Sequence, residues 1–193
     1  MTRYIAGIAA FLVLCGVVGW LAGTRLAEAA ADGRIFGGGE FVNYGSWRIT
    51  QALGSPDSDP VLRAWIARTG ILPLARSEVA YFFTDTAPGD APLDGGCDYE
   101  VRVPEIGARW WSLAAYDADH KPIANRLERY SINSDAGHSR IVLSRAAPAE
   151  EDAWLPLGEA DRFELLFRVY QPDTTFDPAA PEALPAIERI GPC

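Results

Sequence analysis

The residues best suited to bind a ligand are polar side chains that lie among aromatic ones in the second half of the sequence. They are Asp117, Asn125, Arg129, Trp154 and Arg168. An arginine beside a tryptophan or tyrosine can bind a carboxylate or a sugar through its planar fork of donors and the adjoining ring. Such charges more often form an internal network, which here would fasten the loop after Asp117 to the domain. The set is the sequence's best candidate for a binding site.

Hydrolysis is the alternative chemistry. His120 follows Asp117 and Asp119, and a histidine near carboxylates can act as a general base, with Arg129 as a further polar group. However, the stretch Asp-Ala-Asp-His-Lys-Pro is typical of a polar hairpin turn. No serine lies in a G-x-S-x-G or Ser-x-x-Lys motif, and the two histidines do not form a metal set. We therefore assign no catalytic residue and expect no metal or cofactor.

The charge of the chain excludes one class of partner. The sequence carries 26 acidic and 17 basic residues, a formal net charge of −9, and has no basic stretch. An acidic surface repels phosphate backbones. We therefore expect no nucleic-acid partner.

The start of the sequence predicts a membrane segment. Ile5 to Ala22 carries no charge, and as a helix it would be about 27 Å long, close to the thickness of a hydrocarbon core. Arg3 precedes it and Trp20 lies near its far end, which favours a cytoplasmic N-terminus at residues 1–4. We expect one pass through a bacterial inner membrane at residues 5–22, with the rest periplasmic. A cleaved signal peptide, with a small-x-small site at residues 27–29, is the alternative.

The cysteines allow one disulfide outside this segment. Cys15 lies in the apolar run, whereas Cys97 and Cys193 lie in the part expected to be exported, where disulfides persist. Two unrelated thiols are the alternative to a bond between Cys97 and Cys193.

The pattern beyond the membrane segment predicts one mainly β domain. Residues 23–58 are expected to be a linker and extended segment, and residues 59–193 the domain. Its leading helix should span residues 60–69, because Asp59 suits the N-cap, Pro60 the first turn and Gly70 the C-cap. The helix should pack on a sheet through Trp65.

Strands separated by turns follow this helix. The predicted strands are Val79–Thr84, Tyr99–Val103, Arg109–Tyr116, Tyr130–Asn133, Arg140–Ser144, Phe163–Tyr170 and an edge strand over Leu184–Ile190. The fourth and fifth should pair around the Ser-Asp-Ala-Gly turn. Trp110, Trp111 and Trp154 are expected in the core, with a sugar platform as the alternative. The fold predicted is a jelly-roll-like antiparallel β-sandwich with one short amphipathic helix.

Several short motifs follow one another along the domain. They are Trp111-Ser112-Leu113, Tyr116-Asp117, Asn125, Arg129-Tyr130-Ser131-Ile132, Trp154-Leu155-Pro156, Phe163, Arg168-Val169-Tyr170-Gln171-Pro172 and Pro185-Ala186-Ile187. In this order they resemble a bacterial family known as domain of unknown function 1214. The stretches 59–82 and 93–99 resemble its short, membrane-anchored branch. The sequence departs from the family at Ala153, where members usually carry Asn. The resemblance implies a jelly-roll-like sandwich, and no activity can be transferred from it.

These observations favour a membrane-anchored envelope module that binds a small-molecule ligand or an envelope protein. The alternative is a hydrolase that acts on an envelope carbohydrate or a small molecule through Asp117, His120 or Arg129.

Overall fold

Two β-sheets pack face to face and bury their shared apolar side chains between them. The computed structural model describes residues 2–31, 41–50, 52–89, 91–149, 153–180, 182–191 and 193. Its strands are β1 (Phe41–Tyr44), β2 (Trp47–Thr50), β3 (Val79–Thr84), β4 (Thr86–Ala87), β5 (Ala91–Pro92), β6 (Tyr99–Arg102), β7 (Ala108–Asp117), β8 (Ser131–Asn133), β9 (Arg140–Ser144), β10 (Ala153–Pro156), β11 (Phe163–Pro172) and β12 (Ala186–Arg189). The helices are α1 (Thr2–Ala31) and α2 (Pro60–Thr69), and a 3-10 turn spans Ser134–Ala136. The mainly β fold predicted from the sequence is confirmed.

The large sheet has the order β1-β2-β3-β11-β7-β8, and the small sheet the order β10-β9-β6-β12. Pairing is antiparallel except between β9 and β10, which run parallel. The sequence analysis placed no strand at β10, a short segment at the edge of its sheet. It ends at Pro156. Proline has no backbone N–H to donate, and a strand at the edge of a sheet tolerates that loss.

Strand β11 shows most clearly how the sequence builds the core. Its alternate residues from Phe163 to Val169 face the small sheet and are almost fully buried, as the period of two predicts. They meet Ile141 and Leu143 of β9 and Val101 of β6. The buried face of the sandwich is therefore fixed by alternation in the sequence.

Helix α2 covers the outer face of the large sheet, with the bounds predicted. Asp59 Oδ1 accepts a hydrogen bond from Leu62 N at 3.0 Å, and Gly70 ends the helix at φ 68°. Leu62 is fully buried, and Trp65 packs edge-on against Phe83 with ring centroids 5.6 Å apart. The prediction that Trp65 attaches the helix to a sheet is confirmed.

Part of the segment assigned to the linker belongs to the large sheet. β1 and β2 form a hairpin, and β2 pairs with β3. Trp47 causes this: its ring is buried against Phe167, and its Nε1 donates to the carbonyl oxygen of Pro185 at 2.7 Å. The β domain therefore begins before residue 59. The Gly-rich stretch 32–40 lies outside the described residues.

The predicted pairing of β8 with β9 is wrong. β8 pairs with β7 in the large sheet, whereas β9 lies between β6 and β10 in the small one. Between them the chain forms the 3-10 turn, which Asn133 caps and Gly137 ends at φ 68°. The chain changes sheets because Ile132 and Ile141 both face the one core, from opposite sides.

The N-terminal apolar helix and the single disulfide are both present, as predicted. Gly7–Leu26 of α1 is long and apolar enough to cross a membrane by length and composition. A signal sequence shares this character. Cys97 and Cys193 form a disulfide, and Cys15 is an exposed thiol on α1.

Candidate functional site

Asn125 closes the second half of the loop between β7 and β8. Its Oδ1 accepts from the backbone N–H groups of Leu127 and Arg129, at 3.2 and 3.1 Å. Its Nδ2 donates to the carbonyl oxygens of Ile123 and Arg129, at 3.0 and 2.9 Å. Glu128, between them, has a left-handed backbone at φ 51°. Asn125 therefore fixes the position of Arg129 and uses all of its own hydrogen-bonding capacity to do so.

Arg129 bridges this loop to the small sheet. Its side chain is exposed, and its Nη1 donates to the carbonyl oxygen of Trp154 at 3.0 Å. The indole of Trp154 lies on the outer face of the small sheet, where its Nε1 donates to the carbonyl oxygen of Ser144 at 3.2 Å. The contact thus joins Arg129 to the backbone of β10 rather than to the ring. A guanidinium has five N–H donors, so it can hold this contact and also bind a ligand.

A cavity of about 270 Å³ opens beside Arg129, between β8 and β10. It is lined by Arg129, Ser131, Ile132, Asn133, Ala136, His138 and Ala153. Ile132 and Ala153 are buried and supply an apolar floor, whereas Ser131 and His138 are exposed. The described lining residues include a guanidinium, an imidazole and a hydroxyl but no carboxylate. The volume is slightly below the roughly 300–1,000 Å³ usual for small-molecule sites, so it suits only a small ligand.

Asp117 and Arg168, the other two members of the predicted set, have different partners. Asp117 Oδ1 accepts from the backbone N–H groups of Asp119 and Lys121, both at 2.9 Å, and so closes the hairpin turn after β7. Arg168 lies on the outer face of the large sheet, where its Nη2 donates to the hydroxyl of Tyr116 at 2.6 Å. Asn125, Arg129 and Trp154 are thus linked by hydrogen bonds, and these two residues serve other parts of the fold.

His120 makes a contact that the sequence analysis did not anticipate. It lies in the predicted turn, at φ 60°, and its Nδ1 is 2.6 Å from Glu164 Oε1 on β11. Its ring also packs edge-on against Trp65 of α2. The pair attaches the turn to the large sheet and the helix.

The outer face of the large sheet carries a buried tyrosine hydroxyl beneath α2. Tyr81 is buried, and its hydroxyl accepts from Leu74 N at 2.8 Å. Burial raises the pKa of this hydroxyl, and the hydrogen bond from Leu74 partly opposes the shift. At neutral pH the phenol therefore stays protonated and anchors the segment after α2.

The hydrolase hypothesis requires Asp117, His120 and Arg129 in one cleft. Asp117 instead binds turn backbone, His120 binds Glu164, and Arg129 binds β10. No described cavity is lined by all three, and within the described residues no cluster of three or more histidine, cysteine or acidic side chains could hold a metal ion.

Sequence reasoning missed the histidine of this cavity. His138 was not among the residues singled out from the sequence, and it follows the 3-10 turn. It reaches the cavity because the chain crosses there from the large sheet to the small one. The available signal was the motif Arg129-Tyr130-Ser131-Ile132. It places Arg129 just before β8, the strand after which the chain reaches His138.

The tryptophans divide between core and surface. Trp111 packs against the core, as predicted, with its ring 5.9 Å from that of Phe167. Trp110, next to it, points to the opposite face of the sheet and is half-buried beside Tyr170. Trp154 also lies outside the shared core.

Comparison with known proteins places the chain among uncharacterised relatives. The fold resembles that of the VPA0106 protein from Vibrio parahaemolyticus, with a TM-score of 0.53 and 23% identity over 69% of this chain and 36% of that one. A protein from Burkholderia cenocepacia matches with a TM-score of 0.42 and 10% identity over 58% of this chain and 30% of its own. The chain thus spans about a third of the length of these two proteins. No protein with a curated description matches it.

The family profile described as Protein of unknown function (DUF1214) matches residues 78–174. That region runs from the start of β3 to the end of β11 and includes Asn125, Arg129 and the cavity residues. The match covers half of the sequence, in agreement with the resemblance seen in its motifs, and the chain therefore belongs to the DUF1214 family.

Proposed function

We propose that the protein is a membrane-tethered binding module whose cavity beside Arg129 takes a small carboxylate-bearing molecule. The observation that carries the proposal is the placement of Arg129: Asn125 holds its backbone, β10 holds its guanidinium, and the residue lines a cavity with His138. A group positioned before binding costs little conformational entropy when the ligand arrives.

The charge of the cavity favours an anion. Arginine is always protonated, and an imidazole donates at least one N–H in either of its protonation states. The overall charge is −9, whereas the described lining of this cavity has a guanidinium and no carboxylate. A carboxylate can accept two parallel hydrogen bonds from one guanidinium, which gives orientation as well as affinity.

The tether and the compartment form part of the same proposal. Residues 5–22 anchor the chain in a bacterial inner membrane, and the β domain faces the periplasm. The apolar run of α1 supports the anchor, and the Cys97–Cys193 bond supports an oxidising compartment. Membranes washed at alkaline pH should retain the full-length chain with its first residues intact; release of a shortened chain would instead establish a signal sequence.

The ligand proposal is tested by calorimetric titration of the full-length protein in detergent micelles. Succinate, benzoate and glucuronate are the probes, and succinamide, benzamide and glucose are their uncharged counterparts. We expect a carboxylate to bind and its counterpart to bind much more weakly. Arg129→Gln should weaken that binding by about tenfold or more, as expected for a charged hydrogen bond. Arg126→Gln is the matched control, because Arg126 is an exposed arginine of the same loop outside the described cavity lining.

Two results would contradict the proposal. Equal binding of charged and uncharged probes would remove the argument from charge. Unchanged affinity in Arg129→Gln, with the melting temperature preserved, would remove Arg129 from the site.

A further inference from the structure

We propose that a second cavity, lined by Trp110 and Tyr170, binds a neutral saccharide. It has a volume of about 510 Å³, within the roughly 300–1,000 Å³ usual for small-molecule sites. Its described lining comes from the segment before β3, from β7, from the 3-10 turn and from the end of β11. It shares no described lining residue with the cavity at Arg129. The two cavities are neighbours, because Asp135 lines this one and Ala136, the next residue, lines the other.

The aromatic wall is rigid. Trp110 and Tyr170 are directly opposite across β7 and β11, and their rings meet edge-to-face with centroids 4.8 Å apart. Trp110 Nε1 donates to Asp135 Oδ2 at 3.0 Å, which fixes the indole. Both rings are half-buried and line the cavity. Such surfaces suit the C–H face of a sugar ring.

The polar side of the cavity is positioned by Gln171. Its Oε1 accepts from Arg109 Nη1 at 3.2 Å, its Nε2 donates to Glu78 Oε2 at 3.0 Å, and its backbone N–H donates to the carbonyl oxygen of Glu78 at 2.7 Å. Gln171 adopts a left-handed backbone at φ 46°, a conformation that is unfavourable for every residue type except glycine. A costly conformation retained beside an aromatic cavity is a reason to look for a function there.

The chemistry of the lining selects the ligand class. Sugar hydroxyls both donate and accept hydrogen bonds, and the cavity offers the N–H donors of Arg109 together with the carboxylates of Glu78 and Asp135. The guanidinium of Arg109 would repel a cation placed beside it, and the two carboxylates would repel an anion. One arginine against two acids leaves a small negative balance, which is compatible with an uncharged ligand.

The experiment uses the full-length protein in a detergent without a sugar head group, because a maltoside would compete for the site. Maltotriose, cellotriose and the trimer of N-acetylglucosamine are titrated while tryptophan fluorescence and saturation-transfer NMR are followed. We expect at least one trisaccharide to bind at millimolar concentration or below. Trp110→Ala should weaken it by about tenfold through loss of the aromatic wall.

Gln171→Gly keeps the test independent of folding. Glycine relieves the left-handed backbone, so the melting temperature should stay equal or rise, whereas the affinity for the sugar should fall by about tenfold as the amide is lost. Glu182→Gly is the matched control for Gln171→Gly, since Glu182 is an exposed residue with a left-handed backbone, at φ 62°, that lies outside the described lining. Failure of all three sugars to bind, unchanged affinity in both Trp110→Ala and Gln171→Gly, or binding of choline in place of sugar would each overturn the proposal. None of these results bears on the carboxylate titration at Arg129.

Discussion

Reduction of the Cys97–Cys193 disulfide should cost the domain a large part of its stability. Cys97 is buried immediately before β6, and Cys193 follows β12, the strand that pairs with β6 at the edge of the small sheet. Beyond the ladder, Ile190 N donates to the carbonyl oxygen of Asp98 at 2.9 Å. The bond therefore closes a loop that contains the whole small sheet and three of the six strands of the large sheet, namely β7, β8 and β11.

The magnitude follows from the length of that loop. A separation of 96 residues corresponds to about 4.7 kcal/mol of unfolded-state conformational entropy at 25 °C in the chain-entropy treatment. Domains are stable by about 5–15 kcal/mol in total, so loss of the bond should remove a third of the stability or more. Reduction is a better perturbation than substitution at Cys97, because a serine there would bury a hydroxyl as well.

The assay is urea unfolding of the full-length protein in micelles, with and without reductant, followed by tryptophan fluorescence. Cys193→Ser should reproduce the reduced state under oxidising conditions. Cys15→Ser is the matched control, because Cys15 is a free thiol outside the β domain. A difference between oxidised and reduced protein below about 1 kcal/mol, with the bond verified by mass, would refute this reasoning.

Three further predictions concern single side chains. Glu100→Gln should lower the free energy of unfolding by about 1–2 kcal/mol at neutral pH, since Glu100 is buried yet its partners Arg140 and Arg102 are largely solvated. The hydrogen bond from Arg140, and then that from Arg102, holds the pKa of Glu100 below its ordinary range. The stabilisation by Glu100 is therefore full above about pH 4.3 and is lost as the pH falls through the lowered value. Urea titrations over the acid range should show that the variant loses less free energy of unfolding on acidification than the natural protein, and equal losses would contradict this. Asn125→Ala should lower the melting temperature and weaken carboxylate binding together, whereas a variant that binds normally would show that Asn125 does not position Arg129. Gly158→Ala should destabilise by more than about 1 kcal/mol, because the residue has φ 51° and an added Cβ would clash with the carbonyl oxygen of Ala124; unchanged unfolding would show that this turn can shift.

Much of the architecture could be predicted because it depends on local patterns. The bounds of α2 follow from Asp59, Pro60 and Gly70, which act within one turn of the helix ends. The alternation in β11 decides which of its residues enter the core. The hairpin at residues 41–50 was missed because Trp47 finds its partners far along the chain, at Phe167 and Pro185. The missed crossing between β8 and β9 has the same cause, since a short turn does not specify which sheet the chain enters next.

The candidate site could be predicted in part. Asn125, Arg129 and Trp154 were singled out by residue type and are linked in the structure. Asp117 and Arg168 were chosen on the same ground, but the turn after β7 and Tyr116 hold them elsewhere. Residue type indicates what a side chain can bind, whereas its neighbours depend on strand order.

The sequence by itself determined the long apolar run of α1, the acidic charge, the helix α2, most strands and the family. These are properties of composition, or of residues close together along the chain. The tertiary structure alone decided that His138 joins Arg129 at one cavity, that Trp110 faces outward beside Tyr170, and that Gln171 is held in a left-handed conformation. The physical reason is that each of these depends on which strands pair and in what register, and pairing between distant strands is set by burial of the common core rather than by local propensity.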